Sequence, residues 1–199
     1  MSSTTGNSDP YLYPGTTVLR NLRGLENQDQ LDRFEARRTH LRIAQLIDTP
    51  LAGRFDLAHL KAIQRHIFQD VFDWAGEFRS VNLARGGHLF ALPAFLEPAL
   101  TKTLGELQLR TLLLALDSHQ FAQNAAYFLG ELNAAHPFRE GNGRTQREFI
   151  RQLGLNAGHN VDWRSATRES MIDASQRSHV HGDSAPFASL ILRCLRLTG

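Results

Sequence analysis

Apolar residues recur at intervals of three and four over most of the chain, which is the spacing of helices that bury one face. Proline, glycine and capping residues divide the pattern into segments. The predicted helices run over about 28–47, from Asp56 to about Trp74, from Pro93 or Leu96 to Leu116, from Asp117 or Ser118 to His136, from after Gly143 to Gly158, over about 165–178 and over about 185–197. Asp56, Ser165 and Ser184 are the expected N-caps.

Residues 79–92 interrupt the helical pattern. Val81 and Leu83 alternate with polar neighbours, Gly86-Gly87 predicts a turn, and a second apolar stretch follows at 89–92. This pattern is typical of a short β-hairpin, and we call residues 79–92 the flap. The chain shows no alternation of strands and helices that would favour a parallel sheet. We therefore predict an all-α fold of about six to eight helices with one small β-hairpin.

The length of 199 residues predicts a single domain over 1–199. Residues 1–27 are polar and rich in turn-forming residues. Tyr11, Leu12 and Tyr13 nevertheless predict that this N-terminal arm packs onto the body of the domain.

Composition limits the classes of protein to which the chain can belong. Apolar residues make up 42% and charged residues 21%, values that exclude collagen-like, disordered and disulfide-scaffold proteins. Cys194 is the only cysteine, so no disulfide forms within the chain. The N-terminus lacks the apolar core of a signal peptide, and the longest apolar run, 112–116, is too short to span a bilayer. We therefore expect a cytoplasmic protein with no membrane contact.

The cationic residues are almost all arginines. Of the 22 Lys and Arg residues, only Lys61 and Lys102 are lysines, which leaves 20 arginines. Arginine recognises phosphate with a bidentate fork, but a GC-rich genome also produces arginine-rich proteins. The count raises the alternative of a helical nucleic-acid-binding module. Because the arginines are scattered among 20 acidic residues, the sequence does not favour direct nucleic-acid binding.

One segment, 136–147 with the sequence HPFREGNGRTQR, differs in kind from the rest. A Gly-Asn-Gly turn at 141–143 opens a helix there, so backbone N–H groups and the helix dipole favour a bound anion. Arg144 and Arg147 are three residues apart on one face of the first helical turn, where only an external anion compensates their charge. Glu140 is suited to Mg²⁺, which bridges carboxylates and phosphates. His136 is a candidate base.

Each of these features also has an ordinary structural explanation. A histidine before proline, a Gly-Asn-Gly turn and arginines in a first helical turn each occur without any function. Phe138 is expected in the core in either case, and Arg139 is a further candidate for anion contact. The conjunction within twelve residues is what indicates a nucleotide-phosphate site and phosphoryl or nucleotidyl transfer.

The segment resembles the signature of the Fic family, His-x-Phe-x-Asp/Glu-Gly-Asn-Gly-Arg-x-x-Arg, and every specified position matches. The resemblance extends to Ser8-Asp9-Pro10-Tyr11, to Asp73-Trp74-Ala75-Gly76 before the flap and to Glu131-Leu132-Asn133 before the motif. The chain is most similar to stand-alone Fic toxins and to Fic domains of conjugation-linked toxins. Family members usually transfer AMP from ATP to a hydroxyl of a target protein.

The resemblance implies a role for each matching position. His136 would deprotonate a Ser, Thr or Tyr hydroxyl of the target, and Glu140 would hold Mg²⁺ on the α- and β-phosphates of ATP. Gly141, Asn142 and Gly143 would cradle the phosphates, with Arg144 on the β-phosphate and Arg147 on the γ-phosphate. Phe138 would anchor the loop. The residues that would dock the target segment by strand addition are those of the flap: Val81, Asn82, Leu83, Phe90 and Ala91.

The resemblance also bears on the reaction and its control. Members that transfer the terminal phosphate carry a lysine where this chain has Gly143, so AMP transfer is expected rather than kinase chemistry. Removal of AMP, or use of another nucleotide donor, remains the alternative. The inhibitory segment of many members, Ser/Thr-x-x-x-Glu-Gly/Asn, has no complete copy here: Ser170 follows Ser165–Glu169, and Leu22 precedes Glu26-Asn27.

A small antitoxin protein is therefore the expected inhibitor. Its glutamate would pair with Arg147, and this chain would be the toxin of a toxin–antitoxin pair. Similar stand-alone toxins modify type II topoisomerases, so the B subunit of DNA gyrase and topoisomerase IV are the expected targets.

Overall fold

A computed structural model of the chain describes residues 3–4 and 9–196. Ser8 of the predicted family pattern and the predicted last residue, 197, of the final helix lie outside the described residues. In the described part of the arm, Val18 is buried, and Tyr13, Leu19 and Leu25 pack against the hydrophobic core.

The described residues form seven α-helices: α1 (Gln28–Asp48), α2 (Leu57–Phe68), α3 (Pro93–Leu109), α4 (Ser118–Ala135), α5 (Asn142–Asn156), α6 (Arg168–His181) and α7 (Ala185–Cys194). The strands are short: β1 (Ser3–Thr4), β2 (Leu83–Arg85), β3 (His88–Leu89), β4 (Asn160–Val161) and β5 (Leu195–Arg196). β1, β2 and β3 form one antiparallel sheet in that order, and β4 pairs with β5. The predicted all-α class with a small hairpin is confirmed. None of the helices formed by residues 9–196 is long and apolar enough to cross a membrane.

Polar caps explain where most of the helices begin. The Asp56 carboxylate accepts the N–H of His59, 2.9 Å away, as the sequence predicts. Asp117 forms a capping box with Gln120 at the start of α4. The expected cap at Ser165 is wrong, because α6 begins later and is capped by the hydroxyl of Thr167.

Three helices end earlier than the sequence predicts. α7 ends at Cys194 rather than at about 197, because Leu195–Arg196 form β5 and pair with β4. α2 ends at Phe68 rather than Trp74, and the chain continues in tight turns, in one of which the Val71 amide donates to the Phe68 carbonyl. The side chains of Val71 and Phe72 remain buried in these turns, so the apolar spacing continues without a helix. α3 ends at Leu109 rather than Leu116.

The end of α3 has a backbone cause. Thr111, Leu112 and Leu113 adopt positive φ values of 51°, 54° and 59°, which a right-handed helix cannot contain. This left-handed turn leads directly into α4.

α4 lies at the centre of the molecule and packs against α3, α5, α6 and α7. Large apolar side chains of α4 and α5, among them Phe121, Phe128 and Phe149, are fully buried in one continuous core. The loop that connects α4 to α5 is therefore held at both ends by the best-packed helices of the fold, and this loop carries the motif.

Candidate active site

The loop of residues 136–141 begins and ends in left-handed backbone conformations. His136 ends α4 with φ 47° and ψ 57°, and Gly141 precedes α5 with φ 80°. A Cβ atom at Gly141 would overlap the ring of Phe68, so the position requires glycine for space as well as for conformation. Gly143 lies in the first turn of α5. Of the two glycines in the turn, only Gly141 therefore uses the left-handed conformation that glycine allows.

The side chain of Asn142 holds the loop closed. Its Nδ2 donates to the carbonyl of Phe138 at 2.7 Å, and its Oδ1 accepts the N–H of Phe138 at 2.9 Å. Phe138 is 1% exposed and packs against Phe78, with ring centroids 5.6 Å apart. Because Asn142 is occupied in this way, a phosphate at the turn would meet backbone N–H groups and the helix dipole rather than this amide.

The ring of His136 is buried against the flap. It stacks on Phe90, with centroids 3.9 Å apart and 12° between the ring planes. Burial lowers the pKa of His136 to about 3, and the positive charges of Arg85 and Arg79 act in the same direction. Within the described part of the chain, its Nδ1 has no hydrogen-bond partner. The imidazole is therefore neutral near pH 7, the state in which it accepts a proton.

Arg144 is shared between two carboxylates. Its Nη2 lies 2.6 Å from Oε1 of Glu35 and 3.3 Å from Oε1 of Glu140. Nη1 donates to the Thr39 hydroxyl at 3.2 Å, and the guanidinium lies over the Phe68 ring, 4.6 Å from its centroid. This arrangement brings α1 to the start of α5 and fixes Arg144 at the site.

Sequence reasoning missed Glu35 and Thr39. Both lie more than one hundred positions before Arg144, on a helix whose pattern carries no motif. Burial raises the pKa of Glu35, and the charge of Glu140 adds to this, although Arg144 opposes both. A partly desolvated carboxylate beside an anion site is unfavourable unless a cation accompanies the anion.

Arg147 lies half-buried in the first turns of α5, three residues after Arg144. Burial lowers its pKa, and neighbouring Arg144 lowers it further. Among residues 9–196, no carboxylate lies within ion-pair distance of its guanidinium. Its backbone carbonyl accepts the indole N–H of Trp163 at 2.8 Å, which ties the first turn of α5 to the segment before α6. A half-buried arginine without a partner next to the Gly-Asn-Gly turn suits a bound anion.

Glu140 is suited to a Mg²⁺ ion whose other ligands come from the phosphates of a bound nucleotide and from water. Its side chain is 39% exposed, and its Oε1 accepts the N–H of Gly141 at 2.7 Å. No group of three or more His, Cys, Asp or Glu side chains that could enclose a metal occurs in the described residues. Mg²⁺ commonly takes only one or two carboxylates and completes its shell with phosphate oxygens and water, so one accessible carboxylate is sufficient.

These groups border one cavity of about 980 Å³, near the upper end of the range for ligand sites. His136, Glu140, residues 141–144 and Arg147 are among the residues that line it. An apolar wall of the cavity comes mostly from later in the chain: Leu129, Trp163, Ala166, Met171, Ile172 and Phe187. No sequence pattern indicated this wall, because its members come from separate segments.

The flap contacts the site, but not all of its predicted docking residues are accessible. Leu83 is 1% exposed and Phe90 is 4% exposed, whereas Asn82 is half-buried. The carbonyls of Val81 and Ala91 already accept hydrogen bonds from a side chain of this protein. β2 is paired on one edge with β3 and on the other with β1, so a target strand that pairs with β2 takes the place of β1.

Arg139 is not the anion contact that the sequence suggested. Its guanidinium bonds to Oδ2 of Asp9 at 2.8 and 2.9 Å, and the two side chains are only 11% and 2% exposed. The pair therefore joins the N-terminal arm to the motif loop.

Comparison with known proteins connects this geometry to a family. The model of the Fic/DOC family matches residues 54–153. Protein adenylyltransferase VbhT of Bartonella schoenbuchensis is 42% identical over 96% of the chain, which spans 40% of VbhT. The probable protein adenylyltransferase y4lH of Sinorhizobium fredii is 40% identical over 94% of the chain and 96% of its own length.

Solved structures with bound nucleotides share the fold. The BepC protein of Bartonella tribocorum, a VirB-translocated effector solved with bound AMPPNP, superposes with a TM-score of 0.88 at 30% identity, over 95% of this chain and 97% of that one. The N-terminal Fic domain of a Bartonella quintana effector with bound ADP gives a TM-score of 0.88 at 31% identity, over 94% of each chain.

Proposed function

The chain belongs to the Fic/DOC family, and because its curated relatives are named protein adenylyltransferases we propose that it transfers AMP from ATP to a Ser, Thr or Tyr hydroxyl of a target protein. The observation that supports this most strongly is the position of His136. Its buried, neutral imidazole borders the same cavity as the Gly-Asn-Gly turn, Arg144 and Arg147. A proton acceptor next to an anion site is what nucleotidyl transfer to a hydroxyl requires.

In the proposed reaction, His136 removes the proton of the target hydroxyl. The hydroxyl oxygen forms a bond to the α-phosphorus of ATP, and the bond from that phosphorus to the pyrophosphate oxygen breaks. Arg144 contacts the β-phosphate, Arg147 contacts the γ-phosphate, and the backbone N–H groups of Asn142 and Gly143 donate hydrogen bonds to phosphate oxygens. Positioning and charge neutralisation supply most of the catalysis.

Glu140 is the residue that would hold Mg²⁺ with the nucleotide. When bound, the ion neutralises charge on the α- and β-phosphates. Glu140 would be free to hold the ion, because Glu35 and Thr39 also bind Arg144 and would keep the arginine in position. Arg144 therefore keeps its place whichever partner Glu140 takes.

AMP transfer is proposed in preference to transfer of the terminal phosphate. Gly143 stands where family members of the latter kind carry lysine, and the side of this glycine faces the Arg147 guanidinium. The same arginine would hold the γ-phosphate within the leaving group.

We also propose that the chain acts in the cytoplasm as the toxin of a toxin–antitoxin pair, with the B subunit of DNA gyrase and topoisomerase IV as targets. Two features support this: the sequence lacks a complete inhibitory pattern, and Arg147 has no acidic partner among the described residues. An antitoxin glutamate would meet that unpaired charge. If co-expression with a small neighbouring protein that carries the inhibitory pattern leaves toxicity unchanged and yields no complex, the antitoxin proposal is wrong.

Mass spectrometry of a susceptible bacterial lysate tests the activity. Lysate incubated with ATP, Mg²⁺ and the protein should contain a polypeptide whose Ser, Thr or Tyr carries one adenylate. The His136→Ala protein should leave the lysate unmodified while still binding ATP, because its phosphate-binding groups are intact. Equal modification by His136→Ala would contradict the assignment of the base.

A further inference from the structure

Arg79 has an unusual environment for an arginine. The residue is 2% exposed and lies at the start of the flap. Its Nε donates to the His136 carbonyl at 2.8 Å, and its Nη1 donates to the Val81 carbonyl at 2.7 Å. Nη2 donates to the carbonyls of Ala91 and Ala135. The guanidinium thus contacts four backbone carbonyls.

No carboxylate balances this charge: in the part of the chain that the structure describes, Arg79 forms no ion pair. Burial lowers its pKa to about 10, so the guanidinium remains charged at neutral pH. The partial negative charge at the C-terminus of α4 compensates it instead, since Ala135 and His136 end that helix with carbonyls that have no partner within it. A buried cation is seldom retained for stability alone, because apolar replacements are often as stable.

The four carbonyls belong to two different parts of the site. Val81 and Ala91 flank the two strands of the flap, whereas Ala135 and His136 belong to the end of α4. Two backbone hydrogen bonds also join the flap to the end of α4 and the loop after it. The Arg79 amide donates to the Pro137 carbonyl at 2.9 Å, and the Ala91 amide donates to the Ala134 carbonyl.

The contacts of Arg79 and Phe90 also hold His136 in its backbone conformation. That residue adopts a left-handed conformation, which costs a non-glycine residue about 1 kcal/mol or more unless its surroundings hold it there. Arg79 bonds to the carbonyl of this residue, and Phe90 of the flap stacks on its ring. The orientation of His136 thus depends on the position of the flap.

We infer that Arg79 is a positioning residue that joins the flap to the loop carrying His136, so that a target segment bound at the flap and the base that deprotonates it form one rigid unit. This inference rests on the proposed function. It does not require Arg79 to touch ATP, and Arg79 is not among the residues that line the nucleotide cavity.

The Arg79→Lys variant is the sharpest test, because it keeps the charge but a single ammonium cannot span four carbonyls. The matched control is Arg164→Lys, at an arginine whose side chain is 90% exposed. Hydrogen exchange should be at least about tenfold faster in the 81–91 peptide of Arg79→Lys and unchanged in the control. Unchanged exchange in the flap overturns the inference. Faster exchange throughout α4 and α5 also overturns it, since Arg79 would then support the core rather than the link.

The ring of His136 provides a second readout in the nucleotide-free protein. Stacking on Phe90 shifts its proton resonances, and Phe90→Leu defines their unstacked positions. Arg79→Lys should move them towards the Phe90→Leu values, whereas Arg164→Lys should not. Resonances that stay at their wild-type positions in Arg79→Lys would contradict the link.

Kinetics distinguishes this inference from the proposed function. With Arg79→Lys, kcat for AMP transfer should fall by at least about tenfold, while the Kd for ATP stays within about twofold of wild type. A wild-type protein that transfers no AMP refutes the proposed function, yet the exchange and resonance results still decide whether Arg79 links flap and loop. Wild-type kcat in Arg79→Lys would overturn the inference.

Discussion

At the scale of single residues, His136 owes its protonation state to burial rather than to a partner. A histidine paired with a carboxylate would have a raised pKa, but here desolvation and two nearby arginines lower the pKa to about 3. The imidazole is therefore unprotonated at neutral pH, and burial also makes it a weaker base than a solvent-exposed histidine. The same pKa shift affects stability.

Stability should depend on pH through His136. The folded pKa of about 3 lies below the ordinary value of 6.5, so the unfolded chain binds more protons between these values. The contribution of His136 to the free energy of unfolding is therefore complete above about pH 6.5, and it is lost as the pH drops towards 3. Between about pH 6 and pH 4, wild type should lose on the order of 2 kcal/mol more unfolding free energy than His136→Asn, which does not titrate. Urea unfolding at both pH values measures the difference, and equal losses in the two proteins would refute the assigned shift.

Glu35 should weaken ATP binding when Mg²⁺ is absent. Its carboxylate borders the nucleotide cavity and adds negative charge beside the phosphates. Glu35→Gln removes the charge but keeps an oxygen for Arg144, so calorimetry without Mg²⁺ should show binding at least about threefold tighter. Asp29→Asn, at an exposed position in the first turn of the same helix, should change little. Weaker binding in Glu35→Gln would mean that its charge is needed to hold Arg144.

At the scale of elements, the start of α5 depends on one glycine and not on the other. Gly141→Ala combines a φ of 80° with overlap of the Phe68 ring, and should lower the free energy of unfolding by at least about 2 kcal/mol. Gly143 lies in a helical turn, where an added Cβ would approach only the end of the Arg147 side chain. Gly143→Ala should therefore change the free energy of unfolding by less than about 1 kcal/mol. Chemical unfolding of the two variants measures this contrast, and similar losses would show that the loop geometry is misassigned.

The sequence predicts which elements exist better than where they end. Helical spacing located α1, α4 and α5, and Gly86-Gly87 located the hairpin. The ends of α2 and α3 were wrong for a physical reason. Tight turns after Phe68 keep burying apolar side chains at the same spacing, and a left-handed turn at 111–113 has no glycine to mark it.

At the scale of the whole molecule, the site is assembled from distant parts of the chain. The residues of the motif lie within one short segment, 136–147, so the sequence alone was enough to predict them as site residues. Glu35, Asp9, Arg79 and Trp163 reach it only through tertiary packing. No spacing along the chain signals such contacts, since each depends on how a separate element docks against α4 and α5.

The pair of Asp9 and Arg139 should link the arm to the motif loop energetically. Removing one partner leaves a buried charge, so Asp9→Ala should cost about 3 kcal/mol of unfolding free energy. The double variant Asp9→Leu, Arg139→Met should recover most of that loss, because no unpaired charge remains. Unfolding of the single variants Asp9→Leu and Arg139→Met and of the double variant measures the coupling. Strictly additive losses would show that the pair does not join the two segments.

The central claim is that His136 enables transfer of AMP, and the fate of differently labelled ATP tests it most directly. Purified protein, Mg²⁺ and a susceptible lysate are incubated with ATP labelled at either the α- or the γ-phosphate. We predict that adding the protein increases protein-bound label from α-labelled ATP only, and that His136→Ala gives no increase over lysate alone. An increase from γ-labelled ATP, or equal increases with wild type and His136→Ala, would contradict the claim.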